Sequence, residues 1–288
     1  MGTSSPWPGP SGKAGTPGEW RRLKGRLDVW RDDQPDSLES LDSIAEDGLG
    51  VLRRTLREDP SAFGLYDAAC AGGERLTAVM DTMTVPGGGD DRAVEGAGGG
   101  DDRTDFAAAF VSAVGGEGGT IADAAVRRAA AATMREMAKR HPEALASGGK
   151  GWSGDLLCLL YRWFFADTVA EFLHAFVAEK IKLMVPVLPP LDPEDRIADW
   201  IADRVLRLVP DPCEEAAKLV EEAEQAEETV AALEDPTLGT LVQVARGLVP
   251  RAVGAALGLL AEAEPAANAG RAADTGPSAP PPEEAPDT

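Results

Sequence analysis

The sequence predicts an all-α protein: a helical bundle around one long central helix, with disordered N- and C-terminal tails. Three observations carry this. Apolar residues recur at spacings of three and four, most clearly in Leu38, Leu41, Ala45, Leu49, Leu52 and Leu56. Asp-Pro occurs four times, at 59–60, 192–193, 211–212 and 235–236. Aspartate accepts hydrogen bonds from the first free amides of a helix, and proline suits its first position, so each pair reads as a helix start. The 288 residues also include 48 alanines, leaving the larger apolar residues at about a quarter of the chain. Alanine favours helix and buries little area, which points to many thin, closely packed helices. No segment reads as a strand, and Val185-Pro-Val-Leu-Pro-Pro holds too many prolines to pair in a sheet.

Taken in order, residues 1–35 read as a disordered arm that contains a basic amphipathic segment at 20–31. Residues 36–84 form a small helical unit. It opens at Asp36, with Glu39 at the capping-box spacing, and runs through helices at about 36–58, Ala62–Cys70 and Glu74–Met83. Gly-Gly-Gly-Asp-Asp-Arg appears twice between 85 and 104, a Gly-rich acidic linker, because glycine resists ordering. The main bundle spans 105–264, so the chain is two helical units or one bundle interrupted by the linker. Asp105–Val114 ends at Gly115-Gly116. Thr120, with Asp123 three residues on, caps a helix to about His141 with Val126, Ala130, Thr133, Met134 and Met137 inside. The long helix covers about Ser153–Val185 and stops at Pro186. Helices follow at Pro193–Val209, Pro212–Glu234 and Pro236–Val249, the last continuing to about Glu264. Ile197, Trp200, Ile201, Val205 and Leu208 make one core face, and Leu219, Val220, Ala223, Ala226, Val230 and Leu233 the next. Residues 265–288 are a disordered tail of Pro, Ala and acid.

Charge excludes one function class. A net charge of −21 repels the phosphates of DNA and RNA. The charge is uneven: residues 1–31 hold six basic and two acidic residues, and residues 211–288 hold sixteen acids and four bases. Cys70, Cys158 and Cys213 are odd in number and widely spaced, which indicates neither a disulfide framework nor a zinc ribbon. Reduced thiols and a cytoplasmic location fit best. The first residues lack the basic-then-apolar pattern of a secretory signal. Leu156–Val177 is the most apolar stretch, but Arg162, Asp167, Glu171 and His174 interrupt it, so it is not a membrane span.

The segment 20–31 is the leading candidate for partner binding. Trp20, Leu23, Leu27 and Trp30 form one apolar stripe, surrounded by Arg21, Arg22, Lys24, Arg26 and Arg31. Such a helix fits a protein partner's groove, an anionic membrane surface, or this chain's own acids, such as Glu214, Glu215, Glu221, Glu222 and Glu228. Gly25 weakens it by about 1 kcal/mol relative to alanine, which favours ordering on contact.

The long helix places Asp167, Glu171 and His174 on one face. Glu171 and His174 have the Glu-x-x-His spacing of di-iron bundles, but the second such motif is missing: the other histidine is His141, and position 138 is Ala. The three are metal-ligand candidates, with the polar face of a core helix as the alternative. Asp32-Asp33-x-x-Asp36 matches a magnesium motif as a string, but Pro35 interrupts it and aromatics are scarce. Gly254-x-x-x-Gly258 reads as close helix packing, or as a homo-oligomer interface.

Trp152-Ser153-Gly154, in a turn between helices, resembles the Trp-x-Gly turn of the small helical-hairpin substrates of type VII secretion. That resemblance implies export. The accompanying Tyr-x-x-x-Asp/Glu signal is not supplied by either tyrosine, since Tyr66 is followed by Cys70 and Tyr161 by Phe165 at that spacing.

No nucleophile elbow, Walker loop or dinucleotide fingerprint is present, so no cofactor is indicated and nothing points to catalysis. The expected function is a non-enzymatic interaction protein (an adaptor, assembly or regulatory component) with protein partners. A helical metal protein or enzyme at Asp167, Glu171 and His174, and a secretion substrate, are the alternatives.

Overall fold

The computed structural model describes residues 17–31, 34, 36–84, 102–146, 152–181, 193–225 and 237–260. These residues form α1 (Pro17–Val29), α2 (Ser37–Glu58), a 3-10 turn (Ala62–Gly64), α3 (Leu65–Thr84), α4 (Asp102–Gly115), α5 (Ile121–Arg140), α6 (Pro142–Ala146), α7 (Gly154–Ile181), α8 (Pro193–Leu206), α9 (Pro212–Gln225) and α10 (Leu238–Ala256), with no strand among them. The tails predicted at the termini, the core of the Gly-rich linker, Asp192, Asp235-Pro236, Val230, Leu233 and the stretch from 182 to Pro186 lie outside the described residues.

The long helix is the organising element. Tyr161, Phe164, Phe165, Leu157, Leu160 and Val169 of α7 are almost fully buried. Around α7 pack α5, α8, α10, α9, α3 and α1. Helices from both expected units share one continuous apolar core. α3 packs on α10 and α4, and α2 on α8, where Arg196 donates twice to Asp42, at 3.0 Å each. The described helices therefore form a single bundle.

Several local expectations need correction. A helix break was expected between Cys70 and Glu74, but α3 runs through Gly72 and Gly73. A Cβ at Gly72 would lie 2.8 Å from Val126, and one at Gly73 would lie 2.6 Å from Phe165 and 2.8 Å from Val249. These glycines are points of close helix crossing rather than breaks. At Asp59-Pro60 the Asp59 carboxylate accepts from the Ser61 amide and hydroxyl, but a 3-10 turn follows and the helix begins only at Leu65. Asp36 precedes α2 without a side-chain cap bond. α10 is capped by Thr237, which accepts from the Thr240 amide, and it runs through Pro250 to Ala256 rather than to about Glu264.

Gly254-x-x-x-Gly258 proves to be a helix stop. Gly258 has φ +67, its amide bonds to Ala255 O, and the Leu259 amide bonds to Gly254 O. This is the Schellman arrangement, with glycine in the left-handed position. Leu219 and Leu208, predicted on core faces, are exposed at 54% and 44%; α9 buries mainly Ala216. Other expectations agree closely. Thr120 and Asp123 form a reciprocal capping box, and the Thr120 hydroxyl and amide hold the Asp123 carboxyl below the usual carboxylate range. Val126, Ala130, Thr133, Met134 and Met137 are buried.

Candidate functional site

The candidate partner-binding segment lies in α1, and its apolar stripe is already occupied. Trp20, Leu23, Leu27 and Trp30 are all buried against the bundle, exposed by no more than 8%. Trp20 Nε1 donates to Thr55 Oγ1 at 3.0 Å, and Trp30 Nε1 to Ser37 O at 3.1 Å, so α1 runs antiparallel along α2. Phe63 stands between Trp20 and Phe172, with ring centroids at 6.0 and 5.3 Å. Its φ of 63 is a left-handed conformation that costs a bulky residue about 1–2 kcal/mol; in return the ring joins α1 to α7.

This corrects two expectations: residues 17–31 are not part of a disordered arm, and the stripe does not wait for a partner's groove. Self-docking occurs on α2 and α7 rather than on the acids of α9. Arg26 pairs with Asp47 and donates to Ser43 Oγ, and Arg54 pairs with Glu19 at 2.9 Å. Arg21, Arg22 and Lys24 remain exposed on the outer face. Among the described residues, none of these three is ion-paired.

Asp167, Glu171 and His174 share a face of α7, but their groups are held by separate neighbours. Asp167 Oδ2 accepts from Thr133 Oγ1 at 2.9 Å. Burial, with Glu171 and Glu136 adding to it, pushes the Asp167 carboxyl up to about 7 against the lowering effect of Thr133. Glu171 pairs with Arg128 at 3.0 Å, and His174 lies 3.8 Å from Glu171 and 3.5 Å from Asp195. Asp199, beside Asp195 and Asp203 on α8, is also raised, chiefly by burial. The seam between α5, α7 and α8 is thus acid-rich. Among the described residues, the only set of three or more potential ligand groups within 4.8 Å of one another is Cys158, Asp211 and Cys213.

In that set the two sulfurs are bonded to each other, with Cα atoms 6.0 Å apart. The expectation of three reduced thiols is therefore corrected: Cys158 of α7 and Cys213 of α9 form a disulfide, and Cys70 is the free cysteine. A bonded pair offers no thiolate to a metal.

Beside the disulfide lies a cleft of about 450 Å³ that sequence reasoning missed. Five arginines line it: Arg53 and Arg57 of α2, Arg162 of α7, Arg207 after α8, and Arg251 of α10. Asp211, Glu214 and Glu215 are its acids. Arg162 pairs with Asp211 at 2.9 Å and donates to Leu206 O, while Asp211 Oδ1 accepts from the Cys213 amide. Arg251 and Lys218 share Glu215, at 3.1 and 2.9 Å. These two cations hold the Glu215 carboxyl low, the Lys218 hydrogen bond foremost. Arg57 Nε donates to Gly258 O, and the Arg53 stem fills the space beside Gly258 that a side chain would take. The one hint in sequence is Arg53-x-x-x-Arg57, two arginines on one helix face.

Trp152 of the Trp-x-Gly turn is buried, and its Nε1 donates to Ala144 O at 2.9 Å, fixing the join between α6 and α7. No helix among the described residues is long and apolar enough to cross a membrane. The chain matches no protein-family model, no curated protein and no solved structure. Fold and sites together define it only as an acidic all-α bundle with cationic surfaces at one end of α2 and on α1.

Proposed function

We propose that the chain is a non-enzymatic interaction protein whose cationic α1 face meets an acidic surface on a protein partner. One observation carries this reading. The chain holds 49 acidic and 28 basic residues, yet Arg21, Arg22 and Lys24 stand exposed on α1 and, among the described residues, unpaired. Where acids outnumber bases, local pairing would neutralise such cations at little cost, and an unmatched cluster steers an oppositely charged partner. The Trp stripe supports it indirectly. By docking on α2 and α7 it holds the three cations on a rigid helix, which lowers the ordering cost of binding.

The test is affinity capture from the native cell with the full chain and with Arg21→Glu, Arg22→Glu and Lys24→Glu combined. These side chains are exposed, so helical signal and melting temperature should be unchanged, with stability within about 0.5 kcal/mol. The expected result is a partner retained by the unaltered chain, released by rising salt and lost in the charge-reversed variant. Equal recovery by both forms would overturn the proposal.

A further inference from the structure

The five-arginine cleft goes beyond the α1 surface and rests on different residues. We propose that it binds a soluble small molecule carrying two or more adjacent phosphoryl groups, a diphosphate ester being the simplest case.

The first argument is charge. Among the guanidinium groups of the lining, Arg162 is paired with Asp211 and Arg251 with Glu215, which also holds Lys218. Arginine does not give up its proton in a protein, so a guanidinium without a carboxylate partner stays a full cation that attracts an anion. Arg207 makes the point most plainly: it is exposed and, among the described residues, has no carboxylate within pairing distance. The second argument is geometry. The arginines come from α2, α7, α10 and the turn between α8 and α9, so they converge from several sides. Planar, forked donors arranged in this way match phosphoryl oxygens.

Size and surroundings narrow the ligand. A cleft of about 450 Å³ lies within the range of small-ligand sites. A long polyanion would have to cross an acidic body of net charge −21, whereas a compact anion need enter only the cleft. Leu208, Val209 and Leu260 also border it, apolar surface suited to the organic part of an ester rather than to a bare ion. The walls are held firmly. The disulfide fastens the start of α9 to α7, and the Schellman turn of α10 is gripped by Arg57, so the walls that carry the arginines are set before the ligand arrives.

Pyrophosphate is the probe. Titration calorimetry on the full chain at 0.15 M NaCl should give one saturable site, with orthophosphate and sulfate at least about tenfold weaker, since a second phosphoryl group engages a second guanidinium. Arg207→Ala, at an exposed position, should weaken pyrophosphate about tenfold with the fold intact. Combining it with Arg251→Ala should weaken binding further. Arg21→Ala with Arg22→Ala should leave the affinity unchanged. Absence of saturable heat at millimolar pyrophosphate, or equal affinity in the wild type and in Arg207→Ala, would overturn the proposal.

Discussion

α7 carries two polar clusters of opposite sign, little more than one turn apart, and they handle surplus charge differently. At Asp167 the surplus is negative. Asp167, Glu171, Glu136, Asp195 and Asp199 crowd one seam, and two of these carboxyls, Asp167 and Asp199, are raised. At Arg162 the surplus is positive, with five arginines around a cleft beside three acids. A carboxyl can shed its charge by taking a proton near neutral pH, whereas a guanidinium cannot. The acidic seam can therefore shed charge from within, whereas the cleft, once Asp211 and Glu215 have taken Arg162 and Arg251, is proposed to take an anion from outside. Crowded acids here read as structure, crowded arginines as a site.

Three changes sharpen that comparison. The largest effect is expected at the cationic end. Replacing Cys158 and Cys213 together by Ala removes a crosslink of sequence separation 55 and should cost about 3–4 kcal/mol in urea unfolding. It should also loosen α9 and weaken pyrophosphate binding. Unchanged stability would mean that the bond does not fasten the cleft wall. Thiol trapping in the native cell would show which compartment the pair serves, because oxidising compartments keep such bonds and reducing ones remove them.

The next effect belongs to the acidic seam. In the folded chain Asp167 keeps its proton up to about 7, while in the unfolded chain it loses it near 3.9. The native state therefore binds more protons between these values. Stability is fullest below about pH 4, falls as pH rises through about 7, and is level above that. Asp167→Asn, which can still accept from Thr133, should gain on the order of 2 kcal/mol at pH 8 and little at pH 4. A variant with the same pH profile as the wild type would contradict an uncharged Asp167 in the folded protein.

The smallest effect is expected from the half-buried Arg162–Asp211 pair. Arg162→Met should cost about 1–2 kcal/mol, because Asp211 is left without its cation, and adding Asp211→Asn should recover part of it. Full additivity in that cycle would show the pair to be energetically silent.

Elements built from local rules were legible in the sequence. The capping box at Thr120, the Asp-Pro starts at Pro193 and Pro212, and the start of the central helix at Gly154 each depend on residues a few positions apart. The errors came where a local signal had a second use. Gly72-Gly73 and Gly254-x-x-x-Gly258 are both glycine pairs inside or at the end of a helical stretch. The first allows helices to cross, the second ends one, and only the neighbours, Phe165 and Val249 or the Schellman turn, distinguish them. α9 looked amphipathic, yet Leu219 lies on its outer side because the disulfide and Ala216 set how the helix sits.

The α1 stripe was visible as a stripe, but nothing within residues 20–31 tells whether its cover is α2 or a partner. The arginine cleft was the least legible feature. Its members run from Arg53 to Arg251, and no spacing rule links residues that meet only once four separate segments have packed.

The central claim, that positive charge gathered at one end of this acidic bundle is a binding feature, is tested most directly by thermal unfolding of the full chain at pH 7.5. Millimolar pyrophosphate should raise the melting temperature by about 2–4 °C over NaCl of equal ionic strength, and the Arg207→Ala, Arg251→Ala variant should lose that rise. An equal shift with NaCl, or the same rise in the variant, would contradict the claim.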